Sequence, residues 1–412
     1  MILLASSWLT FPWLSALAMI VLTLQLPMVA VLLARLMVGP YRKPPLTAQA
    51  TTLDQLGSVS VVVPTLNEVQ RLGPCLAGLT RQGYELREVL VVDSHSTDGT
   101  PALVATYQQQ DPRIRLLTDD PLPAGWVGRP WALDYGFRQS SPASTWILGL
   151  DADTQPQPGL VAALAQALNQ EGYDLVSLAP RFILKGVGEF WLQPALLMTL
   201  VYRFGPAGAP FTAPQRVMAN GQCLMVRRSL LEQLDGYWAA RASFCDDVTL
   251  ARYAATQGAK VGFWDGTHLI SVRMYEGVGE TWREWGRSLD LKDAASPSQL
   301  WWDWAFLALV QGLPWLLTPL LLGLKSWHVV PWSWPLQVWL GVNGLLLLIR
   351  LGMQAAVAPA YHLGRAEGAW AFWLSPLADL AAVVRIGLSS WRRPTQWRGR
   401  YYPPHQPQTS IE

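Results

Sequence analysis

Four acidic marks carry the chemistry this chain can do. They are Asp93 in VVDSHSTDGT, Asp151 and Asp153 in LGLDADT, and the adjacent pair Asp246-Asp247 in FCDDVTLARYA. Asp93 and the D-x-D each follow an apolar run that reads as a buried strand, so they stand at a sheet rim, where ligands of α/β folds collect. Paired carboxylates at such a rim suit a divalent cation, Mg²⁺ or Mn²⁺, that holds a diphosphate and takes its other ligands from phosphate and water. Asp153, and with it Asp151, would face that cation. Asp93 is suited to accept hydrogen bonds from a nucleobase or a ribose hydroxyl. Of Asp246 and Asp247, one serves to cap the helix that VTLARYAATQG predicts, and the other is placed to act as a general base toward an acceptor hydroxyl.

Each mark also has a plainer reading. A lone D-x-D is common in turns, and Ser96 to Asp98 would serve as an N-cap network for a helix starting near Pro101. The first strand runs into VVVPTLNEVQRL, where Pro64 ends it and Asn67 and Glu68 occupy the loop before a helix. The glycine fingerprint of dinucleotide binding is missing there, which disfavours a dehydrogenase and leaves side chains to hold a nucleoside. Further on, WREWGRSLD predicts a helix with Arg283 and Arg287 on one face, able to clamp a diphosphate or to sit among lipid headgroups.

The elements that must position these groups form an α/β section. Ser58–Val63, Val89–Val92 and Trp146–Leu150 read as strands, with Ile114–Leu117, Leu175–Leu178 and Val261–Trp264 as weaker ones. Helical patterns lie between them at Val69–Thr80, Thr100–Gln109, Arg129–Arg138 and Gly159–Asn169. That alternation predicts a parallel sheet over residues 57–293. On either side the chain is membrane-like: of 412 residues 51% are hydrophobic, only 15% are charged and 22 are Trp, which gathers at membrane–water boundaries. Residues 1–40 read as a retained anchor with no charge before Arg35, and Arg35, Arg42 and Lys43 behind it put the following domain in the cytoplasm.

Trp304–Leu324, Val329–Ile349 and Ala369–Ser390 are further apolar segments within 300–392, ahead of a basic tail at 393–412. Three crossings would leave that tail outside, so Ala369–Ser390, with Asp379 and Arg385, is expected to dip into the membrane or lie on it. Phe190–Phe204 is too short to cross and is expected as a core or interfacial helix. The net charge of +2 gives no case for a nucleic-acid partner, and Cys75, Cys223 and Cys245 read as buried thiols.

In their order and separation, P-x-x-N-E (Pro64 to Glu68), D-x-x-S-x-D (Asp93 to Asp98), D-x-D (Asp151 to Asp153) and the acidic pair Asp246-Asp247 resemble the family-2 glycosyltransferases, over about Ser58 to Asp293. The resemblance implies a GT-A nucleotide-sugar-binding fold and an inverting transfer from a nucleotide-sugar donor. It puts Asp93 and Asp98 on the donor side, the metal on Asp153, the base at Asp247, and Gln222 in an acceptor-side block running from Asn220 to Tyr237. Arg283 and Arg287 stand where many members have Q-x-x-R-W; this departure disfavours processive synthesis and leaves single-sugar transfer. The loop GWVGRPWAL, with Arg129 in a phosphate role, and the terminal WRGRYY are similar to a narrower subgroup. That subgroup includes carotenoid, hopanoid-associated and ceramide glycosyltransferases, and the likeness is greatest to cyanobacterial enzymes that glycosylate the 2′-hydroxyl of myxol. A bacterial, multi-pass membrane enzyme with a lipid acceptor, carotenoid first, is the expectation.

Overall fold

The computed structural model describes residues 12–391 except 212, 286–288, 290, 328–331 and 365, together with the backbone of 396–397 and 400–401. Arg287 and nearly all of the basic tail fall outside the described residues. A long apolar helix, α1 (Pro12–Leu36), leads into the α/β section. This runs β1 (Val59–Thr65), α2 (Leu72–Leu79), β2 (Leu86–Asp93), α3 (Thr100–Gln110), β3 (Ile114–Thr118), α4 (Gly128–Gln139), β4 (Trp146–Leu150), β5 (Thr154–Pro156), α5 (Leu160–Glu171), β6 (Leu175–Ala179) and β7 (Arg181–Phe182). It continues through α6 (Val187–Phe204), β8 (Cys223–Arg227), α7 (Arg228–Gln233), α8 (Asp246–Thr256), β9 (Val261–Asp265) and β10 (Ile270–Val272).

Seven strands pair in the order β3-β2-β1-β4-β8-β6-β9. The central strands are buried on both faces because helices cover each side, which is why they read as continuous Val/Leu runs. Helix α4 lies so close that a Cβ on Gly136 would run into Val62 and Val92. The sheet is mixed rather than parallel, because β8 runs antiparallel to both β4 and β6. That reversal has a consequence for chemistry. It sets Cys223 opposite Leu150, so the residue before β8 and the residue after β4 share the sheet's carboxyl rim. A small second sheet, in the order β5-β10-β7, closes one end of this rim.

Beyond β10 come α9 (Gly277–Glu280), a π-helical turn at Thr281–Trp285, and then α10 (Pro297–Leu307), a second π turn (Ala308–Gly312) and α11 (Leu313–Ser326). α12 (Trp334–Val357), a 3₁₀ segment (Ala369–Ala378) and α13 (Asp379–Trp391) complete the chain. Four helical stretches are long and apolar enough to cross a membrane: Trp13–Tyr41, Pro297–Ser326, Trp334–Ala360 and Ala369–Trp391. The last behaves differently from the others, because both its ends rest on the α/β section. At its start Gly368 lies against Gly186 and Val187, and just before it the Tyr361 ring stacks on Phe182 at 5.3 Å. At its end the Arg385 guanidinium donates to the Trp282 carbonyl at 2.6 Å, and Lys292 donates to the Ser389 carbonyl at 2.6 Å. Between those ends it packs along α6.

The segment Lys43 to Gly57, between α1 and β1, is tied down. The Lys43 and Leu46 N–H groups donate to Gly208 and Asp265, and Arg42 pairs with the Asp265 carboxylate at 3.0 Å. All three cysteines are free and buried.

Candidate active site

Two adjoining cavities open on the sheet's carboxyl rim. The smaller, about 100 Å³, is lined by Pro64, Glu68, Ser94, Asp153 and Ala152. The larger, about 500 Å³, has a polar end formed by Asp246 and Asp247 and a long apolar remainder. That remainder comes from Leu36 of α1, Leu197, Val201 and Phe204 of α6, and Met353 and Val357 of α12. Arg129, Asp151, Gln222, Met274 and Tyr275 line both cavities and so form the wall between them. Chain segments nearly a hundred residues apart thus meet: Asp153 faces one chamber and Asp247 the other.

The centre of that wall is one guanidinium. Arg129 Nε donates to Asp151 at 2.9 Å, Nη2 donates to the Gly221 carbonyl at 2.7 Å, and Nη1 pairs with Asp246. Burial alone would weaken the Arg129 charge, but Asp151, Asp246 and Asp247 overturn that and hold it above the ordinary arginine range. Gly221 must be glycine for this arrangement, since a Cβ there would collide with the guanidinium.

Burial pushes the Asp246 carboxyl up to about 7; Arg129 pulls against this, while the Asp247 and Asp151 charges add to it. Asp247 is raised by the same burial, opposed by Arg129 and by the Val248 N–H that bonds to it at 2.9 Å. The pair forms the first turn of α8, and neither carboxylate makes an N-cap hydrogen bond; the cap position is Cys245. The helix dipole at that end favours their negative charge.

The donor-side loops are knitted to one another. Ser96 Oγ accepts the Asn67 N–H at 2.8 Å, Asn67 Oδ1 accepts the Thr97 N–H at 2.9 Å, and Asp98 accepts from Val69 N–H at 3.0 Å and Thr100 N–H at 3.0 Å. Asn67 takes a left-handed backbone, which Asn tolerates. Asp93 is buried and accepts from Ser96 N–H at 2.9 Å and Thr65 Oγ1 at 3.1 Å. These three residues therefore shape the rim, while Pro64 and Glu68 line the smaller cavity itself.

The basic helix face expected from WREWGRSLD is not formed among the described residues. Thr281–Trp285 is a π turn, whose wider pitch does not stack i on i+4, and Arg283 is exposed and lines neither cavity. Two residues that the sequence offered no signal for, Met274 and Tyr275, close the wall instead. They follow Arg273, which is locked to Glu189 of α6 at 2.6 Å.

Among the described residues no three His, Cys, Asp or Glu side chains cluster to hold a metal. The donor set at the rim, carboxylates of Asp151 and Asp153, fits a hard divalent cation that keeps water and phosphate oxygens as its other ligands.

Residues 60–235 match the family model "Glycosyl transferase family 2". That segment is similar to family-2 glycosyltransferases. A mannosyltransferase structure from Pyrobaculum calidifontis, solved with GDP-Man and Mn²⁺, shares the fold of this GT-A chain at a TM-score of 0.53 and 20% identity, over 92% of this chain and 99% of that one. Among curated relatives, a 4,4'-diaponeurosporenoate glycosyltransferase of Staphylococcus haemolyticus is 24% identical over 59% of this chain and 63% of its own length. An undecaprenyl-phosphate mannosyltransferase of Micrococcus luteus is 32% identical over 27% of this chain and 44% of its own. The chain thus spans between about two fifths and two thirds of the length of these relatives. The match ends at residue 235, so Asp246-Asp247 and everything after it lie beyond it.

Proposed function

We propose that the chain transfers a single sugar from a nucleotide-sugar donor to a hydroxyl of a lipid acceptor. The observation that carries this reading is the larger cavity, whose apolar length is built by α1, α6 and α12 and whose polar end is Asp246-Asp247. Asp247 takes the proton of the acceptor hydroxyl, which attacks the anomeric carbon as the bond to the diphosphate breaks. A single displacement of this kind inverts the anomeric configuration. Asp153 with Asp151 would hold a divalent cation, Mg²⁺ or Mn²⁺, whose charge would stabilise the departing diphosphate. Glu68 and Pro64 line the donor chamber, and Asp93, Asn67 and Asp98 set the shape of its rim.

The donor chamber is small beside the several hundred Å³ usual for a ligand site. Donor entry therefore displaces part of the wall. Arg129 is the group to move, because it forms the centre of that wall and its partner Asp151 would also be a cation ligand. Its guanidinium is then available to the diphosphate.

A hydroxylated carotenoid is the acceptor best supported, by the relative named for diaponeurosporenoate and by the cavity's apolar walls. A polyprenyl phosphate is the second reading, supported by the undecaprenyl-phosphate relative. Hopanoid, ceramide-like and diacylglycerol lipids fit the same walls. The test supplies radiolabelled nucleotide sugars and Mg²⁺ or Mn²⁺ to membranes containing the protein, together with separated lipid fractions. Label in one lipid fraction is expected; label in no lipid with either ion would leave a non-catalytic membrane scaffold as the better account.

A further inference from the structure

A second polar pocket, of about 790 Å³, lies outside the reaction chambers, between the small sheet and the loop that leaves α12. One row of residues crosses that sheet in register: Gln155 of β5, Ser271 of β10 and Arg181 of β7. Side chains alternate along a strand, so Arg181 lines this pocket while its neighbour Phe182 lines the larger reaction cavity on the other face. His362 completes the lining, with Nε2 3.5 Å from Ser271 Oγ. Among the described residues no carboxylate lines the pocket.

Arg181 is the telling group. Its Nε is buried with no hydrogen-bond partner, and among the described residues its side chain forms no ion pair. Arg181 is half-buried, and a buried N–H donor without an acceptor, as its Nε is, costs free energy that an anion in the pocket would relieve. Burial and the Arg181 charge both hold His362 below the usual imidazole range, which makes it a neutral hydrogen-bond partner beside Arg181. Gln155 and Gln157 add amide donors around the same space. The loop from Tyr361 follows directly on α12, one of the stretches able to cross a membrane, and exposed Trp370 and Trp373 flank it. The pocket therefore sits at headgroup level.

We propose that this pocket binds a phosphate group, with Arg181 as the paired cation and Ser271, His362 and Gln155 as neutral partners. The phosphate belongs to an anionic lipid headgroup or to a soluble phosphate, and the site is separate from the diphosphate chamber. The proposal does not depend on the transfer reaction.

The experiment uses the full chain in neutral detergent. One arm titrates inorganic phosphate at fixed ionic strength by calorimetry; the other adds phosphatidylglycerol or phosphatidylcholine and counts retained lipid by native mass spectrometry. Saturable phosphate binding without lipid retention assigns the soluble source. Selective retention of one phosphatidylglycerol assigns the headgroup. In either case Arg181→Gln is expected to weaken binding at least about tenfold, as loss of a charge-assisted pair does. Should Arg181→Gln not fold, Gln157→Glu provides the second variant, since a carboxylate at the pocket rim should expel the anion. Neither probe binding the wild type, or equal binding in both variants, would overturn the proposal.

Discussion

At the scale of single residues, the unusual feature is that one arginine joins the D-x-D to the acidic pair. Arg129 touches Asp151 and Asp246 together, so one guanidinium couples the two motifs. Asp247→Asn is expected to lower transfer by at least about 100-fold, the usual worth of a general base. Nucleotide-sugar binding, measured by calorimetry, should be nearly unchanged; full transfer activity in that variant would remove Asp247 from the role. With Asp246 pushed up to about 7, the pair carries less charge as pH falls, so kcat/KM should decline on the acid side of neutrality. Asp246→Asn takes away a like charge and frees Arg129, both of which lower the Asp247 proton affinity. The acid limb of the profile should then shift to lower pH, and a limb that stays in place would show that it arises elsewhere. Gly221→Ala should push Arg129 out of the wall and depress transfer about tenfold or more while the protein remains folded by circular dichroism.

At the scale of elements, irregular pieces do much of the positioning. The π turn at Ala308–Gly312 precedes Pro314, which has no N–H to offer the Leu309 carbonyl. Gln25 of α1 donates to that carbonyl at 2.9 Å and to Asn343 of α12 at 3.0 Å, so three helices lock together where one is interrupted. Deeper in the same bundle, Arg350 of α12 pairs with Asp379 at 2.6 Å, and both are fully buried. Gln311 and Trp315 also donate to that carboxylate, and Gln354 accepts from the guanidinium. Breaking such a pair strands one charge, so Arg350→Met should destabilise by about 3–5 kcal/mol, and Arg350→Met with Asp379→Leu should recover most of it. Unfolding in denaturing detergent measures both; equal losses in the single and double variants would show that the pair's packing, and not its charge, is what matters.

At the scale of the whole molecule, the placement of Ala369–Trp391 decides how the chain threads a membrane. Three crossings, by α1, by α10 with α11, and by α12, return the chain to the side of the α/β section. The last segment then lies beside α6 with both ends on that section. Such a threading would be in line with the positive-inside rule, since the Arg-rich sequence after Trp391 would follow a segment on the side of Asp246-Asp247. It predicts that an impermeant thiol reagent labels Ser326→Cys on intact cells, whereas Trp391→Cys reacts only after permeabilisation. Labelling of Trp391→Cys on intact cells would make the segment a crossing. The native cysteines are buried and should not interfere.

The amino-acid sequence by itself determined the strands β1, β2 and β4, the helices that follow them, and the carboxylates at their ends, because periodicity and strand-terminal acids are local properties. It also determined that helices long and apolar enough to cross a membrane flank the α/β section. Only the tertiary structure decided that β8 runs antiparallel and brings Gln222 to Asp151, that Arg129 bridges two motifs instead of waiting open for phosphate, and that Arg283 stands outside the site. Partners 117 residues apart, as Arg129 and Asp246 are, leave no periodic trace in a single sequence. Their meeting is set by how strands order in the sheet and which helix packs over them, and those are choices of the folded chain as a whole.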